Sequence, residues 1–381
     1  MPASDTGRAP EWHIITCEYP PTVGGVGDYT FTMASALSAT GRVHVWCPSS
    51  AAPAPVVANV TVAEELHSFS RRELRWLSAQ LDRSAGPRHL FVQWVPQGFG
   101  HRSLNIGFAL WIAGRAYWRR DRVHLMVHEP FLPWSRNPVH LAMSLVHRAM
   151  LATACLGARH VWVSTPSWRS LIGQYVNKRI PIDWLPVPAP TLAEDVDTLS
   201  ARNDSEPRTV GHFGLHSQLV TPLLEDALEI ILRETDVRVL LVGRGSDVFR
   251  ESFVRTRPSA AKRVRATGTV APLELRRLIA TCDVMVQPYP DGITARRTSA
   301  LTMLSLGMPM ATNLGHLSED MWTESGAVKL AAGPDGRLVG EAAVALLADG
   351  HERAAVADRA RTFYDERFAA RHAVAMLTAA D

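Results

Sequence analysis

Short β-type runs alternate with helical stretches along almost all of this chain of 381 residues. In the first half the runs are rich in Val and aromatic residues and end in proline or polar residues, as at 13–20, 89–96 and 123–130. Apolar segments with helical spacing, such as 108–118 and 140–155, separate the runs. Strands that alternate with helices form a parallel sheet with helices on both faces, so the sequence predicts an α/β fold.

The alternation stops at 190–208, a polar, acidic and proline-bounded stretch typical of a linker, and then resumes. Two α/β bodies joined in this way place a ligand cleft where the carboxyl ends of their sheets face each other. The alternative is two independent domains without a shared cleft. We predict an N-terminal domain over 1–189, a linker over 190–207, a C-terminal domain over 208–360, and a C-terminal helix over 361–381 that crosses back to the N-terminal domain.

The charge of the chain narrows its class of partners. Its 40 basic and 37 acidic residues nearly balance at +3, which argues against a protein that coats nucleic acid. Residues 1–190 carry 18 basic and 11 acidic residues, a difference of +7. Residues 191–381 carry 22 and 26, a difference of −4, so the two halves are expected to have different tasks.

Cysteine spacing and apolar runs favour a cytoplasmic protein. Cys17, Cys47, Cys155 and Cys282 lie far apart without a CxxC pair, so neither a zinc knuckle nor a disulfide framework is expected. No apolar run reaches the ~20 residues of a membrane span, and the first residues lack the hydrophobic stretch of a signal peptide.

A glycine-rich turn at 22–29 follows the first strand and precedes a helix predicted at 29–41. Gly24 and Gly25 let the backbone approach a ligand, and the helix start offers N–H groups to an anion. The glycine spacing matches neither the dinucleotide fingerprint nor a P-loop. A tight turn needed only for packing is the alternative.

The segment 288–299 joins a strand to the next helix and carries two arginines, Arg296 and Arg297, directly before Thr298 and Ser299. Guanidinium groups beside hydroxyls and free N–H groups at a helix start suit a phosphate or diphosphate. In the alternative interpretation Thr298 is an ordinary N-cap and the arginines form a solvated surface.

Other turns at strand ends carry glycine with a polar or cationic residue. Gly214 and His216 follow the first strand of the second half, and Gly243 and Arg244 end the next strand. In a doubly wound sheet, these turns and the segment 288–299 converge on one rim.

A histidine and a carboxylate, His128 and Glu129, end a strand of the first half. Such a pair transfers a proton or bonds a substrate hydroxyl. His124 lies four residues earlier on the same face of the strand, but no third metal ligand has a convincing spacing. A structural histidine is the alternative.

These pieces together resemble the two-domain GT-B glycosyltransferases, and most of all the large retaining family four, which includes bacterial sugar transferases of lipid, glycan and natural-product pathways. The matching pieces are PPTVGGVGDYT, VQWVPQGFG, VHEPFLP, VWVSTPSW and LPVP in the first half, and LLVGRG, the stretch from ATGTV to YPDG and the GMP turn in the second. The resemblance covers nearly the whole chain. It implies the GT-B architecture, in which two Rossmann-like βαβ domains face each other across a cleft.

The resemblance further implies transfer of a sugar from a nucleoside diphosphate sugar to an acceptor hydroxyl with retention. Neither a metal nor a cofactor is expected, because the nucleotide sugar is a co-substrate. Without a well-placed nucleophile, we expect front-face attack, in which the departing diphosphate oxygen takes the acceptor proton and the protein neutralises charge.

Site residues follow from the same resemblance. The expected catalytic residues are His128, Arg296 and Arg297, with His128 beside the reacting end of the sugar. The expected donor-binding residues are Gly24, Gly25, Gly214, His216, Gly243, Arg244, Thr269, Val270, Asp291, Gly292, Thr294, Thr298, Ser299 and Thr302. The expected acceptor-side residues are Asp28, Trp94, Glu129 and Trp134.

The chain departs from the family at two positions, where Thr294 and Thr302 replace the usual glutamates. The turn 214–220 also lacks the usual arginine and lysine. These departures support an alternative function, a catalytically weak or non-catalytic homologue that binds nucleotide sugars. A phosphorylase of this fold requires a pyridoxal-phosphate lysine, and none of the chain's three lysines has a glycine-rich context.

The acceptor is expected to be a small molecule, a glycan or a natural product, and no nucleic-acid partner is expected. Trp94, Trp111, Trp118 and Trp134 could line an aromatic acceptor pocket, since ten of the eleven tryptophans lie in the first 190 residues. The basic segment 115–122 could make peripheral contact with an anionic membrane. The alternative places these tryptophans in the core and the arginines on a solvated face.

Overall fold

The computed structural model describes residues 11–22, 24–84, 88–100, 103–190 and 207–380. Residues 191–206, which make up nearly all of the predicted linker, lie outside the described residues, as does Val23 of the glycine-rich turn. The chain divides into two compact units. Unit 1 comprises Met1–Pro190 and Ala370–Asp381, and unit 2 comprises Thr191–Ala369.

Unit 1 contains a seven-stranded sheet in which neighbouring strands run parallel. Its strands are β1 (Glu11–Ile15), β2 (Arg42–Trp46), β3 (Val60–Ala63), β4 (Arg88–Trp94), β5 (Arg122–Val127), β6 (His160–Val163) and β7 (Ile182–Trp184). Their spatial order is β3-β2-β1-β4-β5-β6-β7. The order reverses between β1 and β4, and Rossmann-like folds bind ligands at the carboxyl ends of the strands beside such a reversal.

Helices connect these strands. They are α1 (Gly25–Leu37), α2 (Arg71–Leu81), α3 (Ile106–Arg119), α4 (Pro138–Leu156) and α5 (Trp168–Gly173), with a short 3₁₀ turn at Pro96–Gly98. Buried side chains of β4 and β5, such as Val92 and Leu125, form one core with Phe108 of α3 and Leu151 of α4.

Unit 2 contains a six-stranded parallel sheet with the order β10-β9-β8-β11-β12-β13. Its strands are β8 (Thr209–Phe213), β9 (Arg238–Val242), β10 (Val264–Ala266), β11 (Val284–Gln287), β12 (Met310–Asn313) and β13 (Lys329–Ala331). Its helices are α6 (Thr221–Glu234), α7 (Ser246–Thr256), α8 (Pro272–Ala280), α9 (Thr298–Ser305), α10 (Met321–Ser325), α11 (Gly336–Ala348) and α12 (Gly350–Arg367), with a 3₁₀ turn at Pro258–Ala260. The order reverses between β8 and β11, so the switch point of this sheet lies there.

The helix predicted over 361–381 is two helices, because α12 ends at Arg367 and α13 (Ala370–Ala379) begins after a break. At the break, Phe368 is completely buried and stacks on Trp322 at 5.9 Å. Helix α13 belongs to unit 1, where it packs on α1.

The predicted α/β class, with two doubly wound parallel sheets, is confirmed. The interpretation of the sequence made no prediction for β3 and α2, although α2 begins with a capping box that Ser70 and Glu73 form. A Ser followed three residues later by Glu is a recognisable helix start, so the signal was present.

Candidate functional site

Three glycine turns interlock at the carboxyl ends of β8, β9 and β10 in unit 2. The Gly214 amide donates to the Val242 carbonyl at 3.1 Å, and the Gly243 amide donates to the Gly268 carbonyl at 2.9 Å. All three glycines have positive φ, and a Cβ at Gly243 would lie 2.2 Å from the Gly214 carbonyl oxygen. Only glycine fits at position 243 without a steric clash. Backbone atoms therefore bring the three turns together at one end of the sheet, where the sequence predicts that they converge.

The start of α9 lies beside the same rim. Gln287, at the end of β11, donates its amide to the Phe213 carbonyl at 2.9 Å and so joins this strand end to that of β8. The Tyr289 and Ser299 hydroxyls bond each other at 2.8 Å. A Cβ at Gly214 would lie 3.9 Å from the Ser299 oxygen, so the first turn of α9 faces the glycine turn directly.

Helix α9 begins without a side-chain cap, so the alternative interpretation in which Thr298 is an ordinary N-cap is wrong. The N-cap residue is Arg297, and Thr298 is the first residue inside the helix. Among the described residues, no acceptor binds the amides of Thr298 and Ser299. An uncapped helix start carries a partial positive charge and free donors, which together attract an anion.

The two arginines before α9 bind an internal carboxylate. Arg296 lies 3.2 Å from Asp291, and Arg297 pairs with the other oxygen of the same carboxylate. The Arg297 guanidinium also lies over the Tyr289 ring, 4.8 Å from its centroid. Asp291 therefore holds both guanidinium groups in place. An anion that binds these groups would also lie close to the Asp291 carboxylate.

The loop that carries Asp291 is fixed by close backbone packing. Gly292 has a φ of +86°, and a Cβ there would lie 2.2 Å from the Gly315 nitrogen. Glu319 accepts from the Ala295 amide at 3.1 Å and from the Trp322 indole at 2.8 Å. The sequence interpretation missed Glu319, because its two partners are revealed only by the folded loop.

The two threonines at the positions of the family's glutamates are both buried. The Thr302 hydroxyl donates to the Thr298 carbonyl at 2.8 Å within α9, and its donor-binding role stays a prediction. The Thr294 hydroxyl is buried without a hydrogen-bond partner. Because both threonine side chains are buried, neither presents a polar group at the surface of the rim in place of the family's glutamate carboxylates.

The remaining predicted donor residues border the glycine turns. The His216 amide donates to the Arg244 carbonyl at 3.1 Å, while the Arg244 side chain is exposed. Burial is the main cause that lowers the pKa of His216. Thr269 is exposed and Val270 is half-buried where the chain leaves Gly268 for α8.

A second histidine at this rim, His212, was not among the predicted site residues. Its Nδ1 bonds the Val286 carbonyl at 2.8 Å, and its Nε2 is buried without a partner. Burial lowers the pKa of His212 to about 3, so the ring stays neutral at physiological pH. The neutral Nε2 is an acceptor.

In unit 1 the start of α1 already holds a carboxylate. Glu18 accepts from the amides of Val26 and Gly27 at 2.8 and 2.9 Å. A Cβ at Gly24 would lie 2.3 Å from that carboxylate, whereas Gly25 has open space around it. The expected free N–H groups are therefore occupied at these two positions, and the assignment of Gly24 and Gly25 to the donor site stays a prediction.

Asp28, in the first turn of α1, has an unusual carboxyl group. Burial, together with the nearby Glu18, raises the pKa of Asp28 from 3.8 to about 6. A carboxyl with this pKa changes its protonation state close to neutral pH.

His128 lies at the end of β5 within a cluster of buried polar groups. Its Nε2 lies 2.8 Å from Gln93 Oε1, and the Tyr29 ring meets the imidazole edge-on at 4.7 Å. Because the amide oxygen only accepts, Nε2 carries the proton and Nδ1 keeps a lone pair. Burial lowers the pKa of His128 to about 3. The Tyr29 hydroxyl and the Gln93 amide nitrogen are buried without partners.

Of the predicted acceptor-side residues, Trp94 requires correction. It is completely buried in the unit 1 core and donates its indole N–H to the Pro130 carbonyl at 3.3 Å, so it lines no surface. Glu129 is exposed and accepts from Gln97. Trp134 is 59% exposed and stacks under the Arg148 guanidinium at 3.8 Å.

Within the part of the chain that the structure describes, no group of three His, Cys, Asp or Glu side chains could hold a metal ion. The His124 ring accepts at Nδ1 from the Trp162 indole at 3.3 Å and lies fully inside unit 1. His124 and His128 therefore serve different local contacts.

Comparisons with solved structures identify the fold. HepE from Anabaena, in complex with UDP, aligns with a TM-score of 0.67 at 15% identity over 97% of this chain and 98% of its own. Sucrose-phosphate synthase from Thermosynechococcus elongatus aligns with a TM-score of 0.70 at 15% identity over 98% of each chain. WaaG, a glycosyltransferase involved in lipopolysaccharide biosynthesis, aligns with a TM-score of 0.64 at 12% identity over 97% of this chain and 99% of its own. No protein-family profile and no curated protein sequence matches. These alignments include both units, and the fold of this chain is the GT-B fold of glycosyltransferases.

Proposed function

We propose that this protein is a glycosyltransferase that moves a sugar from a nucleoside diphosphate sugar to an acceptor hydroxyl. The observation that carries the proposal is the uncapped start of α9 beside Arg296 and Arg297, facing the interlocked glycine turns of unit 2. A diphosphate is matched there by free amides, a helix dipole and two guanidinium groups.

Uridine diphosphate is the nucleotide that we propose first. HepE was solved with UDP, with UDP and glucose, and with UDP-glucose, and an E. coli protein of similar fold was solved with UDP-2-fluoro glucose. In this chain, the backbone of Gly268, Thr269 and Val270 is proposed to face the base. The Gly214 and Gly243 turns are proposed to face the phosphates.

The chemistry of the proposal requires stabilisation of a leaving diphosphate. Negative charge develops on the diphosphate oxygen as the sugar departs, and α9 with Arg296 and Arg297 is proposed to stabilise it without a metal. The same oxygen takes the acceptor proton in a front-face attack, which gives retention. Asp291 is proposed to position both guanidinium groups, and neutral His128 to accept a hydrogen bond from a substrate hydroxyl through Nδ1.

A thermal-shift series with UDP, GDP, dTDP and ADP, each with and without glucose attached, tests the donor site. A ligand that binds only the folded protein at about 100 times its Kd stabilises it by about 2.7 kcal/mol, which is a clear rise in Tm. Arg297→Ala removes a charge-assisted contact worth about 1.5–3 kcal/mol, so affinity should fall roughly 10- to 150-fold.

Arg277→Ala is the matched control, because Arg277 is an exposed arginine of α8 with only a 4.0 Å contact to Glu274. Equal affinities of the two variants for UDP-glucose would remove Arg297 from the donor site. Turnover that persists after dialysis against EDTA is expected, and metal-dependent turnover would contradict the metal-free part of the proposal.

A second candidate function is a nucleotide-sugar binder without transferase activity. Thr294 and Thr302 favour this function because they supply no carboxylate at the rim, where the family has glutamates. Glu18 also favours it, because its carboxylate already accepts from the amides at the start of α1. Mass-spectrometric analysis of acceptor and donor after long incubation with stoichiometric enzyme separates the two functions. A nucleotide-dependent Tm shift with neither transfer nor donor hydrolysis would favour the binder.

A further inference from the structure

A buried imidazole of unit 2 lies beside the start of α9. His212 is 3% exposed, and its Nδ1 donates to the Val286 carbonyl of β11 at 2.8 Å. Its Nε2 is buried without a hydrogen-bond partner. Burial lowers the pKa of His212 to about 3, so Nε2 keeps its lone pair at neutral pH. Because buried polar atoms in folded proteins nearly always have a partner, this nitrogen requires an explanation.

The neighbouring side chains do not supply the missing donor. The His216 ring lies edge-on to His212 at 4.8 Å, but both of its nitrogens are themselves buried without partners, so the two imidazoles do not bond each other. Gln287, which follows Val286, donates its amide to the Phe213 carbonyl instead. As far as the described residues go, Nε2 of His212 is therefore available to a ligand.

The position that this nitrogen faces lies beside the Cα of Gly214. A Cβ built on Gly214 would lie 4.0 Å from His212 Nε2 and 3.9 Å from Ser299 Oγ, in the first turn of α9. Apart from the glycine's own neighbours in the chain, no described atom comes closer to that point. A ligand oxygen displaced from it by about 1 Å would reach the ~2.8 Å of a hydrogen bond to either atom. The imidazole and the hydroxyl thus border one position.

Ser299 offers a hydrogen-bond donor at this position. Its hydroxyl and the Tyr289 hydroxyl bond each other at 2.8 Å. Burial is the main cause that raises the pKa of Tyr289, so the phenol keeps its proton. The Ala300 amide interacts with the phenol oxygen, which leaves the phenol hydrogen for Ser299. The hydrogen of Ser299 then has no acceptor among the described residues and can be donated to a ligand oxygen.

An acceptor beside a donor determines which ligand group fits. A fully ionised phosphate oxygen only accepts hydrogen bonds, so it matches Ser299 but not the lone pair of His212. An ammonium group only donates, so it matches His212 but not Ser299. A hydroxyl group donates and accepts, and it is therefore the group that satisfies both side chains.

A nucleoside diphosphate sugar carries hydroxyls on its ribose and on its sugar. The base is proposed to lie at the Gly268 turn, which follows β10 at one edge of the sheet. His212 bonds to β11, which lies on the other side of β8 from β9 and β10. The sugar end of the donor is therefore expected beside His212. The 2-hydroxyl adjoins the carbon that carries the diphosphate, so it is the sugar hydroxyl nearest to a diphosphate at α9.

We propose that His212 and Ser299 bind the 2-hydroxyl of the transferred sugar and so select donors that carry a hydroxyl at this carbon. The inference rests on the proposed function, which places the diphosphate at the start of α9. The hydroxyl donates to His212 Nε2 and accepts from Ser299 Oγ. Since His212 is neutral, it contributes specificity for the sugar and does not stabilise the charge of the diphosphate.

Titration calorimetry of the full chain tests the proposal with UDP, UDP-glucose and UDP-2-fluoro glucose, whose fluorine cannot donate a hydrogen bond. Wild type should bind UDP-glucose roughly 2- to 12-fold more tightly than the fluoro analogue, which is the contribution of one neutral hydrogen bond. His212→Phe should bind these two ligands with equal affinity and should bind UDP within about twofold of wild type. His351→Phe, at an exposed position of α12, is the control and should keep the wild-type preference.

Because His212 is buried, the Tm of the unliganded variant checks that it folds, and a second measurement needs only wild type. The nitrogen NMR resonance of His212 Nε2, recorded on histidine-labelled protein, reports a new hydrogen bond to this atom. It should shift when UDP-glucose is added and stay in place with UDP or with the fluoro analogue, because only the 2-hydroxyl donates to the nitrogen.

The outcomes separate this inference from the proposed function. If UDP does not bind wild type, the donor site at α9 fails and the inference fails with it. If UDP binds but wild type does not distinguish UDP-glucose from the fluoro analogue, the donor site stands and the role of His212 is overturned. Weaker binding of UDP itself by His212→Phe would assign the position to a ribose hydroxyl and would equally overturn the proposal.

Discussion

Replacement of Asp28 by asparagine should make unit 1 less sensitive to pH. In the folded protein, burial and the nearby Glu18 raise the pKa of Asp28 from 3.8 to about 6. Between these two pH values the folded state holds a proton that the unfolded state has released. Since stability rises with pH only where the unfolded state binds more protons, this group makes unit 1 less stable as pH rises from about 4 to 6.

The size of the effect follows from the two pKa values. A rise from 3.8 to about 6 corresponds to at most about 3 kcal/mol at 1.36 kcal/mol per pH unit. Asp28 is only half-buried, and solvent screening reduces this to about 1–2 kcal/mol. Asp28→Asn should therefore gain about 1–2 kcal/mol more over wild type at pH 7.5 than at pH 4.

Urea unfolding followed by tryptophan fluorescence measures this difference. Ten of the eleven tryptophans lie in residues 1–190, so the signal reports mainly on unit 1. Glu65→Gln, at an exposed position of the same unit, is the control for removal of a carboxylate. If Asp28→Asn keeps the wild-type dependence of unfolding free energy on pH, then Asp28 is not a carboxyl with a raised pKa, and the reasoning from burial fails.

Three further outcomes are expected. Gly243→Ala should destabilise unit 2 by more than about 2 kcal/mol, because its Cβ meets the Gly214 carbonyl, whereas Gly333→Ala, in open space, should change the calorimetric Tm little. Glu18→Gln should cost about 1–2 kcal/mol, since it weakens two charge-assisted bonds to the start of α1, and unchanged urea unfolding would refute this. The pKa of His128 is lowered to about 3, so replacing His128 by Gln should lower turnover without moving any inflection of the pH–rate profile between pH 5 and 8.

The fold was predictable because its signal is local and repeated. Most of the parallel strands are short runs that contain Val, and the glycine turns after β8 and β9 follow strands that the pattern already indicates. Helix ends were less predictable. The helix expected at 29–41 runs from Gly25 to Leu37, because a Glu18 carboxylate eight residues upstream stabilises amides of its first turn.

The chemistry of the rim was only partly predictable. Arg296, Arg297 and Ser299 were recognised by residue type and position, and the structure places them around the start of α9. Their pairing with Asp291 depends on a loop that Gly292 bends at a φ of +86°, and the spacing of five and six residues does not determine that bend. Thr302 has a suitable residue type, but its place inside α9 turns its hydroxyl to its own helix.

The Asp291 clamp on two arginines has a consequence for ionic selectivity. A chloride ion that entered this loop would replace a carboxylate of equal charge and gain little, whereas a multivalent phosphate adds charge and reaches the free amides as well. Because the Asp291 carboxylate already neutralises part of the positive charge of the two arginines, we expect this loop to bind polyphosphates in preference to monovalent anions such as chloride.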